Sequence, residues 1–392
     1  MAQLRGAVHG GVESARTTVL DSSVIDIALS LIVSDDSALV RERAASLLGE
    51  ALRSGGGGEI PAAEGDALAV LARAAARDDS PLVRCAASTA LADALTGDES
   101  AANALTFSPG GIAELAQALD GDIMNNNTGT GSGGGATRAA ALLLVRGGAQ
   151  AVTAALEDSL FFTALSNVLA NQAHVLGLTL AYANLSKEEG GQYTIPIFPG
   201  KEKKEDDALD ALAALRALVI PDAGKAAAVE VGIPASLCAH LIHPKQSVRC
   251  AAIGALAALS LHIPGALACL GDGRVLPAVL IPQLLYNQGI DGATVRGAIK
   301  TICLLPKGRA AFFSAAINEK SASGSWMRAL CSILPAKDVA RDLVAMAKSS
   351  PHISEKERNA IRIGITTLEE TEIGLKALED VPGSEEIRKR FS

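Results

Sequence analysis

One hydrophobic pattern recurs along the chain: a short polar turn, then Val-Arg, then an Ala/Leu stretch with apolar residues at helical spacing. It reads DDSALVRERAASLLGEAL from Asp35 and DDSPLVRCAASTALADAL from Asp78. It returns as HPKQSVRCAAIGALAALS from His243 and, more weakly, as GIDGATVRGAIKTICLLP from Gly289. The first two valines, Val40 and Val83, are 83 − 40 = 43 residues apart, and Val248 and Val295 are 295 − 248 = 47 apart. A period of ~40–47 residues built of helices is that of armadillo and HEAT arrays. Degenerate copies are expected to begin near Arg138 and Val175. Ser80 suits a helix N-cap and Pro81 the first turn, where the missing N–H costs no bond, and Pro244 follows the same logic.

A second pattern follows each of these helices: a turn, a short helix, a Gly or Pro corner and another amphipathic helix. Examples run from Asp93, Leu218 and Leu259. Three helices per unit is the armadillo arrangement, with two-helix HEAT units as the second choice. The expectation is an all-α, armadillo/HEAT-type right-handed α-solenoid over 1–392. The arginines Arg41, Arg84, Arg249 and Arg296 are expected to bond carboxylates or helix-end carbonyls between repeats. The alternative is a ladder of partner contacts.

Three stretches interrupt the period. Residues 54–65 read as a flexible loop and 122–136 (DIMNNNTGTGSGGGA) as a disordered low-complexity loop. The third, 187–210, is a long insertion with charged flanks and an apolar, proline-stiffened centre. Tyr193, Ile195, Ile197 and Phe198 in that centre are candidate partner-binding residues, covered by a partner or by the protein's own groove. From 335 to 392 the pattern changes to capping helices, expected over Asp338–Lys348, Glu355–Glu370 and Thr371–Leu378, with a tail from Glu385 to Phe391 expected to fray.

Composition narrows the function classes. Hydrophobic residues make up 49% but aromatics only 3%, so the core is Ala, Leu, Val and Ile, which suits close-packed helices. The formal net charge of −8 and the lack of a Lys/Arg run argue against nucleic acid as a partner. The six cysteines, Cys85, Cys238, Cys250, Cys269, Cys303 and Cys331, form no CxxC pair and read as reduced, apolar fillers. Neither a secretory leader nor an uncharged apolar run of the ~18 residues needed to span a bilayer occurs, so a soluble protein inside the cell is expected.

His240 and His243, three residues apart, are the one arrangement with metal-ligand spacing. No carboxylate shares their periodicity, so satisfied surface histidines at a helix end are expected instead. No His-Glu dipeptide, nucleophile elbow or phosphate-binding loop occurs. Asp35–Asp36 and Asp78–Asp79 fall at helix starts, where they complement the helix dipole. The reading is non-catalytic, without cofactor, metal or small-molecule substrate.

The units 218–241 and 248–285 resemble the armadillo consensus, a family that lines a partner-binding groove with the third helix of each repeat. Nuclear-import adaptors of that family place Trp and Asn on this helix. The matching positions here are Ser46/Glu50, Thr89/Asp93, Gly254/Ala258, Thr301/Leu305 and, in the degenerate copy, Leu180/Asn184. These do not carry the adaptor pattern. Residues 244–368, with the Pro306-Lys307-Gly308-Arg309 turn and the helix Glu357–Leu368, resemble the armadillo radial-spoke protein of motile cilia. The resemblance implies a structural subunit of the spoke stalk or base, in the cytoskeleton of the cilium or flagellum axoneme, partnered by other axonemal proteins. A soluble adaptor or chaperone cofactor is the second expectation, and a helical-repeat enzyme the third.

Overall fold

The computed structural model describes residues 22–54, 62–97, 99–126, 134–188, 201–271, 275–286, 290–319, 324–349 and 353–391. Side chains at 22–23, 54, 62–65, 97, 122–126, 174–188, 201–206, 275–276, 278, 286, 290–291 and 349 lie outside that description. Twenty-two helices and no strand occur among the described residues, and the fold is an all-α helical-repeat solenoid. The chain expected as one array divides into two compact units, Met1–Ala251 and Ala252–Ser392.

Among the described residues the first unit begins with two helix pairs, α1 (Ser22–Ser34) with α2 (Ala38–Ser54) and α3 (Ala62–Arg77) with α4 (Pro81–Gly97). Triplets follow: α5 (Glu99–Phe107), α6 (Gly111–Asn126) and α7 (Gly135–Arg146), then α8 (Gly148–Glu157), α9 (Ser159–Glu188) and α10 (Lys201–Leu218). The next triplet is α11 (Asp222–Glu230), α12 (Ile233–His240) and α13 (Gln246–Leu259), the last of which runs across the division. Helices α2, α4, α7 and α10 pack side by side in that order, as a row. Helices α1, α3, α6, α9 and α12 form a second row behind it.

Small side chains set the row's spacing. A Cβ on Gly49 would sit 2.5 Å from the Cα and Cβ of Ala90, and one on Gly135 would sit 2.8 Å from Ser88 Cβ. The alanines and leucines of the repeat pattern fill what remains: Ala44, Leu47, Leu48, Ala87, Leu91, Leu95, Ala140 and Leu144 are all fully or almost fully buried. Close-packed aliphatic helices of this kind draw their stability from buried apolar area, about 25 cal/mol per Å².

Several expected boundaries move. Residues 122–126 belong to α6 and 135–136 to α7, so the low-complexity stretch is helical at both ends. Residues 187–188 end α9 and 201–210 begin α10. The charged run KEKKEDD looked like loop, yet Lys and Glu are good helix formers and need no buried face at a helix start. Val175 lies inside the 30-residue α9, so no repeat helix begins there; the fourth member of the row is α10.

The second unit continues with α14 (Ile263–Leu270), α15 (Val275–Tyr286), α16 (Ile290–Ile302), α17 (Pro306–Ile317) and α18 (Ser325–Ile333). Helices α19 (Ala336–Ser349), α20 (Glu355–Glu369), α21 (Glu372–Asp380) and α22 (Ser384–Phe391) then pack against one another. Ser354 and Glu357 form a reciprocal capping box at the start of α20. The tail that was expected to fray is α22. Its Ile387 and Phe391, four residues apart, are buried, and Arg388 donates to Glu369 at 2.9 Å.

One device is repeated at the corners where a third helix ends and a first helix begins. Leu259 and Gly265, Ile302 and Gly308, and Leu368 and Gly374 are each six residues apart. In every pair a Cβ on the glycine would collide with the carbonyl oxygen of the earlier residue. Leu218 and Gly224 make the same corner in the first unit. Any side chain there would force the two helices apart.

Candidate functional site

The row α2–α4–α7–α10 presents a continuous surface. Each of its helices buries one stripe and leaves the other to solvent. The exposed stripe carries Leu39 and Arg43 on α2, Leu82 and Thr89 on α4, Arg138 and Val145 on α7, and Arg216 on α10. Leu39 and Leu82 are 43 residues apart, hold the position before the Val-Arg valine, and are 63% and 67% exposed. Positions 46, 50, 89 and 93, singled out by the armadillo groove, also fall on this row. Glu50 is nearly buried and bonded by Arg53 at 2.6 Å, and Asp93 pairs with Arg138 of the next helix at 4.0 Å.

The Val-Arg arginines are structural wherever their bonds are described. Arg41 donates from Nη1 to the carbonyls of Asp35 (2.8 Å) and Asp36 (3.3 Å). Its Nε and Nη2 grip both carboxylate oxygens of Asp78, in the turn of the next repeat, at 2.8 and 2.9 Å. Arg84 repeats the carbonyl half, donating to Asp78 O and Asp79 O at 2.6 and 3.2 Å. Arg249 donates to His243 O and Pro244 O, both at 2.8 Å. For Arg296 no bond of this type occurs among the described residues. The valines act with them as anchors: Val83, Val248 and Val295 are completely buried, and Val40 is half-buried.

Asp78 does two jobs beyond the dipole role expected of it. Its Oδ1 also accepts the Ser80 amide at 2.8 Å, as Asp35 accepts that of Ser37 at the same distance. Burial works against the charged form of Asp78. The Arg41 and Ser80 bonds and the nearby Arg84 charge outweigh it and hold the carboxyl below the usual carboxylate range. An open cleft of about 550 Å³ adjoins this pair, lined by Val33, Asp36, Arg41, Val70, Arg73 and Arg77 among others. Arg77 reaches Glu114 of α6 at 2.9 Å. The cleft's lining includes no histidine or cysteine.

The other candidate groups are settled by burial. His240 is buried, not a surface group as expected, with Nδ1 2.7 Å from Ser236 O, and desolvation lowers its pKa. His243 accepts the Lys245 amide at Nδ1 over 3.1 Å; its pKa too is lowered, first by burial and then by His240. No group of three or more His, Cys, Asp or Glu that could hold a metal ion occurs among the described residues. Burial pushes the Cys303 and Cys331 thiols up to about 12, which leaves them protonated and inert at neutral pH. No described helix is long and apolar enough to cross a membrane.

The Pro306–Arg309 turn has a physical explanation. Pro306 opens α17, Gly308 allows the approach of the Ile302 carbonyl, and Arg309 donates to Cys303 O at 3.0 Å and to Asp342 Oδ2 at 2.7 Å. Burial raises the pKa of Asp342, and the Arg309 bond offsets this in part. Tyr193, Ile195, Ile197 and Phe198 lie outside the described residues. The corner glycines were the signal missed in the sequence. Their six-residue spacing from a helix-end Leu or Ile was there to be read.

No protein-family model and no curated protein matches the sequence. Solved structures do. One engineered protein aligns with 99% of this chain and 89% of its own at 19% identity and a TM-score of 0.57. Two others each cover 71% of this chain, and 96% and 98% of their own, at 18% identity and a TM-score of 0.50. At such identity the likeness establishes the fold alone.

Proposed function

We propose that this chain is a non-catalytic scaffold that binds other proteins along the α2–α4–α7–α10 row. The observation that carries the reading is the row itself: four parallel helices backed by an aliphatic core, with an exposed stripe that mixes Leu39, Leu82 and Val145 with Arg43 and Arg138. Mixed apolar and polar stripes of this kind suit an extended or helical polypeptide segment. Arg41 is occupied in joining two repeats, and Arg84 and Arg249 in bonding the carbonyls of their own turns, so recognition on the row falls to other residues. Nucleic acid, membrane and small molecules are not the partners under this reading.

The finer reading is a structural subunit of the axoneme, in the radial-spoke stalk or base, localised in the cilium or flagellum. It rests on the sequence resemblance over residues 244–368. Under it, Tyr193, Ile195, Ile197 and Phe198 form an additional contact to neighbouring subunits. Two experiments test the levels separately. A native pull-down with Leu39→Ser/Leu82→Ser should lose partners that the wild type retains, at an unchanged melting temperature; full retention refutes the row as the binding surface. Fractionation tests the finer reading: an axonemal subunit stays with detergent-extracted flagella, and a soluble adaptor is washed out.

A further inference from the structure

The second unit carries a surface that the scaffold row does not use. Leu261, Ile263, Leu267 and Leu304 are 65%, 60%, 38% and 71% exposed. Leu261 and Leu304 hold one register position, two residues after the helix-end Leu259 and Ile302 whose carbonyls meet Gly265 and Gly308. Ile263 and Leu267 lie four residues apart on one face of α14, and α14 packs on α17, which starts at the corner that holds Leu304. The four side chains therefore belong to two adjacent corners.

The corner does not require these residues. At the equivalent corner after α20, two residues beyond Leu368, the chain has the exposed Glu370, and two residues further it has Glu372 where Ile263 stands after Leu259. The same close glycine approach forms there with carboxylates in those places. The glycine approach itself therefore does not demand an apolar residue two places on, although Ile220, Leu261 and Leu304 all hold that position and are exposed.

Charge is the second, independent observation. Arg296 and Lys300 lie four residues apart on one exposed face of α16, Leu304 follows four residues later in the corner beyond its end, and Lys307 lies in the first turn of the next helix. None of these three cations has an ion pair among the described residues. The whole chain has a formal charge of −8, so this is a cationic border around an apolar patch on an otherwise acidic protein.

The geometry points to a docking surface for an acidic, amphipathic segment of a partner protein, its aliphatic side chains seated on Leu261, Ile263, Leu267 and Leu304 and its carboxylates facing Arg296, Lys300 and Lys307. Charge complementarity favours this occupant over a polyanion. Single-stranded nucleic acid is held by stacking on aromatic rings within a longer basic track, and the patch supplies four aliphatic chains and three cations. A membrane surface asks for a longer basic amphipathic face than two corners provide. The surface is additional to the row and can fail without it.

A displayed library of random 12-residue peptides, selected on the intact chain, tests the assignment. Selections run in parallel on Leu261→Ser/Leu304→Ser and on Lys300→Glu/Lys307→Glu, with melting curves to verify the fold. Glu370 indicates that polar residues are compatible with the corner. The expected result is a class of peptides combining Leu, Ile or Phe with Asp and Glu that is absent from both variant selections. A representative of that class, measured by fluorescence anisotropy, should bind either variant at least about tenfold more weakly and should weaken further with salt. Identical peptide classes on wild type and variants overturn the proposal, as do selected peptides that are basic or uncharged. Binding to phosphatidylserine vesicles or an oligothymidine that is lost in these variants, with no variant-sensitive peptide, overturns it in favour of that ligand. Peptides lost only in Leu39→Ser/Leu82→Ser leave the scaffold row standing while removing this surface.

Discussion

Replacing Gly308 by alanine should destabilise the protein, although the same change at Gly297, eleven residues earlier, should stabilise it. Both glycines are helical, and alanine suits a helix interior better by about 1 kcal/mol. Their surroundings differ. A Cβ at Gly297 meets nothing within 4 Å, so Gly297→Ala should realise a gain of about 0.5–1 kcal/mol. A Cβ at Gly308 collides with the Ile302 carbonyl oxygen, and it would also lie 2.9 Å from that carbonyl carbon and 3.1 Å from Ile302 Cγ2. The obstacle is backbone, closed by a corner of only three residues, 303–305, so no rotamer change relieves it. Overpacking of this kind costs about 1–3 kcal/mol. Net of a helix-propensity gain that is smaller in the first turn than in mid-helix, Gly308→Ala should lose about 1–2 kcal/mol. Urea denaturation of the intact chain, followed by far-ultraviolet circular dichroism, reads both signs in one experiment, and Gly265→Ala should behave like Gly308→Ala. If Gly308→Ala raises the midpoint as Gly297→Ala does, the close approach at the corners is not what holds successive helices together.

Three further outcomes follow from the same geometry. Arg249→Ala removes the two 2.8 Å bonds to His243 O and Pro244 O and should cost about 1–2 kcal/mol in denaturant melts; an unchanged midpoint together with lost partner binding would make Arg249 a contact residue. Ser354→Ala removes the hydroxyl of the α20 capping box and should cost about 1 kcal/mol, seen as a lower midpoint in the same melts, whereas an unchanged midpoint would mean the cap is not used. His240 has a folded pKa below its unfolded value of about 6.5, so its contribution is complete above that pH and declines on acidification towards the folded value. Stability should therefore drop below about pH 6.5, and His240→Gln should flatten the slope; an equal slope in both proteins would refute the assignment.

The sequence made the row of third helices legible where Val-Arg marks the entry, because a buried valine and a carbonyl-capping arginine are demanded by the turn itself. Val83 with Arg84 and Val248 with Arg249 show both demands met. It failed at α10, which has lost that signature and starts on the charged KEKKEDD run. There the helix is specified by propensity and by packing on α7 further along, neither of which leaves a periodic mark in the first two turns. Charge misled again at the tail: EEIRKRF is polar in bulk, yet Ile387 and Phe391 are buried and Arg388 bonds Glu369. His240 was misplaced on the surface because an imidazole bonded to Ser236 O is silent in a single sequence.

The connections of this fold are unequal, and that inequality limits how such a chain can lengthen. From a third helix to the next first helix the chain spends only one to three residues, at 98, 147, 219–221, 260–262 and 303–305. Of the longer stretches, 127–134 and 189–200 fall between a second and a third helix, and 55–61 follows the row helix α2. A corner whose carbonyl already touches a glycine has no slack for an added residue, while the longer connections absorb extra sequence at a closure cost that grows only with the logarithm of its length. New segments, whether acquired by the gene or grafted in the laboratory, are therefore accommodated away from the glycine corners. Added sequence there can diversify what the protein displays without disturbing the corners that set one repeat against the next.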